Sequence, residues 1–108
     1  MDEKKLKSSR KSYERLEKVI GCKWSVSVLE AVRLGIKRPG ILERSIEGIS
    51  TKVLSERLRR LTDYGLLEKH IFAEVPPRTE YTLTEAGESL VLIISQIQEL
   101  DEKIANSK

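Results

Sequence analysis

Residues 46–83, IEGISTKVLSERLRRLTDYGLLEKHIFAEVPPRTEYTL, decide the fold. In the first half, Glu47, Gly48 and Ile49 form a three-residue turn, and Ser50 is placed to cap a helix running to about Tyr64. Leu54, Leu58 and Leu61 keep the i, i+4, i+7 spacing of a buried helical stripe, and Gly65 ends it. The period then changes to two. Leu67, Lys69, Ile71, Ala73 and Val75 alternate with Glu68, His70, Phe72 and Glu74, and Thr79, Tyr81 and Leu83 alternate with Glu80 and Thr82, which predicts a β-hairpin. Pro76, Pro77 and Arg78 form its tip, because neither proline can donate a ladder hydrogen bond.

Upstream, Pro39 suits the first turn of a short helix ending near Ile46, with Leu42 and Ile46 turned inward. Two helices around a glycine-containing turn make a helix-turn-helix, and the hairpin behind them supplies a wing. Trp24, Val28, Ala31 and Val32 put another helix, over about 24–34, against the core. Tyr13, Leu16 and Ile20 predict a helix over 9–20, stopped by Gly21 and preceded by a flexible basic arm over 1–8. Downstream, Thr84 caps a helix over 84–105 in which Ala86, Leu90, Ile93, Ile97, Leu100 and Ile104 are spaced as a heptad seam. Val91, Leu92 and Ile94 widen that apolar surface beyond what one contact with the rest of the domain needs, so a partner chain is its natural cover. The expected fold is therefore mainly α with a small β-hairpin wing: a single winged helix-turn-helix domain over 9–108.

The chain has 108 residues, 39% hydrophobic and 34% charged, enough for one core without metal or disulfide staples. The lone cysteine, Cys22, excludes a disulfide framework within it. No stretch approaches the roughly 18 apolar residues of a membrane span. MDEKKLKSSRK has no apolar run after it to make a secretory signal, so a cytoplasmic protein without a membrane partner is expected. The net charge of +3 is uneven: residues 1–20 carry +3, 21–49 carry +2, 50–80 carry +1 and 81–108 carry −3. A basic excess gathered this way points to a polyanionic partner. No glycine-rich phosphate loop, CxxC pair or histidine cluster is present, so neither an enzyme, a metal nor a cofactor is expected. Cys22, beside Lys23 at a helix start, is either a small buried filler or a thiol of lowered pKa. Trp24 reads as core and His70 as a solvent-facing strand residue.

At 100° per residue, Lys52, Ser55, Glu56, Arg59 and Asp63 point away from the leucine stripe. That face is either merely solvated or, given the turn before it and the hairpin after it, the surface that enters a major groove. Lys52, Ser55 and Arg59 are donors suited to guanine or phosphate; Glu56 can accept from a cytosine amino group, or orient Arg59 or Lys52. Arg78, at the end of a proline-stiffened finger, suits a narrow minor groove. Lys37, Arg38 and Arg44 bracket the short helix and can neutralise phosphates.

With GCKW at 21–24, GIS at 48–50, the pattern LxxRLRxLxxxGLL from Leu54 to Leu67, and EVPPRTEYTLTEAG at 74–87, the chain resembles the HxlR-type winged helix-turn-helix transcription regulators, relatives of the MarR group, over about residues 13–104. The resemblance implies a homodimer joined through its N- and C-terminal helices, hence through Tyr13, Leu16, Ile20, Leu90, Ile93, Ile97, Leu100 and Ile104. It implies binding to double-stranded operator DNA and control of transcription. Position by position, it implies a recognition helix beginning at Ser50 and bearing Thr51, Lys52, Ser55, Glu56 and Arg59, with Arg78 as the wing arginine. Two departures matter. Lys11 and Ser12 stand where several members carry a sensing cysteine, so that mechanism does not transfer, and Cys22 occupies a place that is usually glycine. Pro39 replaces a residue that is often aromatic. The expected function is sequence-specific DNA binding by a homodimer. The alternatives are a module that docks another protein on the same face, for which Glu56 and Asp63 speak, and a ligand- or redox-sensing regulator with a pocket at the dimer interface.

Overall fold

The structure, a computed structural model, describes residues 13–107. Its elements are α1 (Glu14–Ile20), α2 (Lys23–Arg33), α3 (Pro39–Ser45), α4 (Thr51–Asp63), β1 (Leu67–Phe72), β2 (Arg78–Leu83) and α5 (Glu85–Asn106). The basic arm expected over 1–8, and the start of the helix expected over 9–20, lie outside the described residues. The fold is the expected winged helix-turn-helix, α-helical with one antiparallel hairpin. Helix α2 is its centre: Val28, Leu29, Ala31 and Val32 are buried, and the helix packs against α1, α3, α4, α5 and β2.

The helix-turn-helix follows from local chemistry. Pro39 opens α3 at a position whose amide would find no helical acceptor, and Leu42 and Ile46 face the core. Gly48, at φ +86°, makes the turn in a conformation that side chains disfavour. Ser50 Oγ then accepts from the Val53 amide at 3.1 Å, a cap that stabilises α4 by about 1 kcal/mol. Leu54, Leu58 and Leu61 are buried as their spacing requires. At the other end Gly65, at φ +78°, lets the Leu66 amide reach the Leu61 carbonyl at 2.9 Å and its own amide reach that of Thr62 at 3.0 Å. This paired closure ends the helix and sends Leu66 and Leu67 into the core.

The hairpin runs in register from Leu67↔Leu83 to Phe72↔Arg78. It is shorter than the alternation suggested. Ala73 to Pro77 form the connecting loop, and Arg78 is not at the tip but is the first residue of β2. Only the root of the wing, Leu67 and Tyr81, is buried; Ile71, on the same face, is 68% exposed. Alternation reports which face turns inward, not how far the core extends beneath it. On the free edge of β2 the Tyr81 amide donates to the Lys37 carbonyl at 2.9 Å, so the α2–α3 linker runs alongside the wing.

Thr84 ties the wing to α5. Its Oγ1 donates to the Gly65 carbonyl at 2.6 Å and accepts from the Gly87 amide at 3.0 Å, while its own amide donates to the Leu66 carbonyl at 3.1 Å. Helix α5 then crosses the core and leaves it. Leu90, assigned from the heptad spacing to the seam between chains, is instead 2% exposed within the single chain, and Val91 and Ile94 are buried beside it. From Ser95 to Ser107 every residue is exposed. Roughly three helical turns thus stand clear of the domain. They carry Ile97, Leu100 and Ile104 uncovered, in line with the exposed Leu92 and Ile93; Tyr13 and Leu16 are also open to solvent.

Candidate nucleic-acid interface

The outer face of α4 presents Lys52, Ser55, Glu56 and Arg59 to solvent. Across from it the inner face of the wing contributes Lys69 and the ring of Tyr81, and the two elements bound an open cleft of about 890 Å3. Lys52, Arg59 and Lys69 form no ion pair among the described residues. Three cations therefore share one concave surface, with Asp63 at its far end.

Two expected contacts have structural duties. The hydroxyl of Ser50 is committed to its helix cap. Thr51 Oγ1 donates to the Glu43 carboxylate, 2.9 Å from both oxygens, and so fastens α4 to α3 across the turn. Glu56, read as a partner for Arg59 or Lys52, lies 3.9 Å from Arg57 instead.

Arg78 is not a free cation at a fingertip. Its Nη2 is 3.1 Å from Glu74 Oε2, its Nε is 3.4 Å from Glu80 Oε2, and its guanidinium lies 4.2 Å from the centroid of the Phe72 ring. Arg38, at the N-terminus of α3, brings its own Nε to 3.5 Å from the same Glu80 oxygen. Lys37 and Arg44 are exposed nearby. His70 is half-buried, not solvent-facing, with Nε2 2.9 Å from Thr82 Oγ1.

Behind the outer face of α4, Arg57 turns toward the core and donates from Nε to Cys22 Sγ at 3.3 Å. Cys22 is half-buried at the N-terminus of α2. Partial burial pushes its thiol up, but the Ser25 side chain and amide, the Arg57 side chain and the Trp24 backbone outweigh this and bring it from 9.0 down to about 7. Ser25 Oγ is wholly buried and has no aligned hydrogen-bond partner, Cys22 included, so its influence on the thiol is that of a nearby dipole. Cys22 thus sits half-buried beside Arg57 with its thiol drawn below the ordinary range. Sequence reasoning passed over Arg57, Lys69, Glu43 and Glu80. Arg57 alone left a trace, as a cation on the buried half of an amphipathic helix, three residues from Leu54.

Among the described residues no group of three or more His, Cys, Asp or Glu is placed to hold a metal ion, and no helix is long and apolar enough to cross a membrane.

A family model described as HxlR-like helix-turn-helix matches residues 19–108. The HTH-type transcriptional regulator sll1512 of Synechocystis sp. is 37% identical over 78 residues, covering 72% of this chain. The chain spans only 58% of that relative's length. The crystal structure of a MarR-family transcriptional regulator from Enterococcus faecalis V583 superposes with a TM-score of 0.82 at 34% identity, over 99% of this chain and 92% of the other. Diamide-treated YodB from Bacillus subtilis superposes with a TM-score of 0.75 at 29% identity, over 83% and 89% of the two chains.

Proposed function

The chain belongs to the HxlR-like helix-turn-helix family, and from that premise we propose that it is a transcriptional regulator that binds double-stranded operator DNA as a homodimer. One observation carries the reading: the cations of α4 and Lys69 of the wing share a single open cleft, and among the described residues no carboxylate pairs with Lys52 or Arg59. In this reading α4 enters the major groove, the wing lies along the neighbouring minor groove, and the two copies of α4 meet successive major grooves about 34 Å apart. Lys52, Ser55 and Arg59 reach base edges or phosphates. Glu56 accepts from cytosine. Ser50 and Thr51 contribute through the amides of the first turn of α4, since their hydroxyls are engaged. Arg38 and Arg78 take the flanking backbone.

The test is a gel shift with the protein's own upstream region at several salt concentrations. With roughly ten phosphate contacts per dimer, the logarithm of affinity falls with the logarithm of salt at a slope of about −9. A flat response would favour a protein-docking module instead. Arg59→Ala costs about 1–3 kcal/mol and relaxes preference at one base pair if Arg59 reads a base; an equal loss on all duplexes reassigns it to a phosphate.

A second reading, regulation through the Cys22 thiol, is favoured by the Arg57–Cys22 contact, because Arg57 belongs to the recognition helix. The folded-state pKa lies below the ordinary 9.0, so the thiolate's contribution to stability is complete above pH 9 and is lost as pH falls through about 7. Alkylation of Cys22 by iodoacetamide is therefore expected to be half-maximal near pH 7. Arg57→Leu should move that midpoint upward, and the alkylated protein should bind DNA more weakly. A midpoint above about 8 in the native protein, close to that of a free thiol, or undiminished binding after alkylation, would remove this reading.

A further inference from the structure

We propose that Glu80 is a positioning residue for DNA binding: its carboxylate holds Arg38 and Arg78 together and presents both to the nucleic-acid backbone. The proposal rests on the DNA-binding reading above and gives a role to Glu80, which the 74–87 stretch contains but to which no sequence reading assigned one.

A carboxylate on a surface meant for a polyanion should be a liability. Glu80 is nevertheless drawn into the protein, its side chain only 20% exposed, while Glu74 across the wing is 49% exposed. One oxygen of Glu80, Oε2, is approached by both guanidinium Nε atoms, at 3.5 Å from Arg38 and 3.4 Å from Arg78. These two arginines belong to different elements, one at the head of α3 and the other at the start of β2. The backbone bond from Tyr81 to Lys37 brings the neighbouring residues, Glu80 and Arg38, alongside each other. Arg78 Nε is wholly buried and has no aligned hydrogen-bond partner, so the nearby Glu80 carboxylate offsets its charge as an ion pair rather than through a directed hydrogen bond.

The arrangement has a clear electrostatic meaning. Two cations brought close repel each other, and each carries several rotatable bonds. A single inward carboxylate offsets the repulsion, draws both guanidinium groups to one point by charge and leaves terminal nitrogens to bridge phosphates. Glu74 does the opposite job. It caps Arg78 Nη2 at 3.1 Å from an exposed position, so it occupies a donor that a phosphate would take.

Two carboxylates of one wing are thereby set against each other with opposite signs. Through-space electrostatics alone predicts that deleting either negative charge tightens DNA binding. Positioning predicts that Glu80→Gln weakens it, by about five- to tenfold, while Glu74→Gln leaves it unchanged or tightens it. The probe is a labelled duplex of about 30 base pairs, selected from a random pool by the native protein. A second readout separates positioning from damage. If Glu80→Gln frees the two arginines, the salt slope becomes shallower by about 0.9 for each phosphate that is no longer neutralised. A variant that is only less folded binds less without any change of slope, and its melting curve reports that directly.

Weaker binding with a shallower slope for Glu80→Gln, and undiminished binding for Glu74→Gln, supports the proposal. Equal or tighter binding by Glu80→Gln overturns it, as does weaker binding at an unchanged slope. Failure of the native protein to select or shift any duplex would instead remove the DNA-binding reading, which the same experiment therefore tests separately.

Discussion

Gly87→Ala should lower the stability of the domain by about 3 kcal/mol or more, a large part of the roughly 5–15 kcal/mol available to a domain of this size. A Cβ at this position would overlap the Leu66 carbonyl oxygen and stand 3.2 Å from Leu83 Cδ2. The Leu83 methyl can shift by a few tenths of an ångström, but the Leu66 backbone cannot yield. The Leu66 carbonyl is already the acceptor for the Thr84 amide, and its backbone is held by the closure of α4. To admit the methyl group, α5 must lift from the root of the wing, which breaks the Thr84 bonds to Gly65 and Gly87 as well. At about 4–8 °C per kcal/mol, the melting temperature should fall by about 12 °C or more. Gly40→Ala is the control, since its nearest neighbour is the flexible Arg44 Nη1 at 3.9 Å; inside α3 it should be neutral or stabilise by up to about 1 kcal/mol. A loss below about 1 kcal/mol at Gly87, the size of an ordinary surface change, would mean that α5 is not seated as described.

The second large effect concerns assembly. Ile97→Asp should halve the mass measured by light scattering and reduce operator affinity by about a hundredfold or more, because the second half-site is then bound as a separate event. The side chain is 42% exposed within one subunit, in a stretch of α5 where every residue is open to solvent, so folding of the monomer is little affected. The physical reason to expect a partner is length. A few helical turns projecting into water are marginal by themselves, and these carry three large apolar residues, Ile97, Leu100 and Ile104. A dimer that survives the substitution would move the interface elsewhere.

Most of the architecture was legible because it is written in short-range periodicity. The leucine stripe of α4, the cap at Ser50 and the closure at Gly65 each involve residues within one or two turns of one another. The misreadings share one origin: a pattern gives direction along an element but not what lies opposite. Heptad spacing marked Leu90 as apolar without distinguishing a partner from its own core. The double proline marked a turn, yet could not show that the chain re-enters the strand at Arg78 and meets Glu74 and Glu80 there. The contact of Arg57 with Cys22 joins residues from two helices that only tertiary packing brings together. On the candidate site itself, the cations of α4 were visible from helical phase alone, whereas Lys69 entered only once the hairpin had folded back over the cleft.

The bond between Tyr81 and Lys37 has a bearing on control. The linker is stitched to one edge of the hairpin and Thr84 rivets its base, so the wing is tied to its neighbours at two places. The wing and the linker beside it would then move as one piece, like the face of a die. In the proposed homodimer, a signal would then act by swivelling one whole die against its twin, changing the distance and tilt between the two imprints rather than the shape of either.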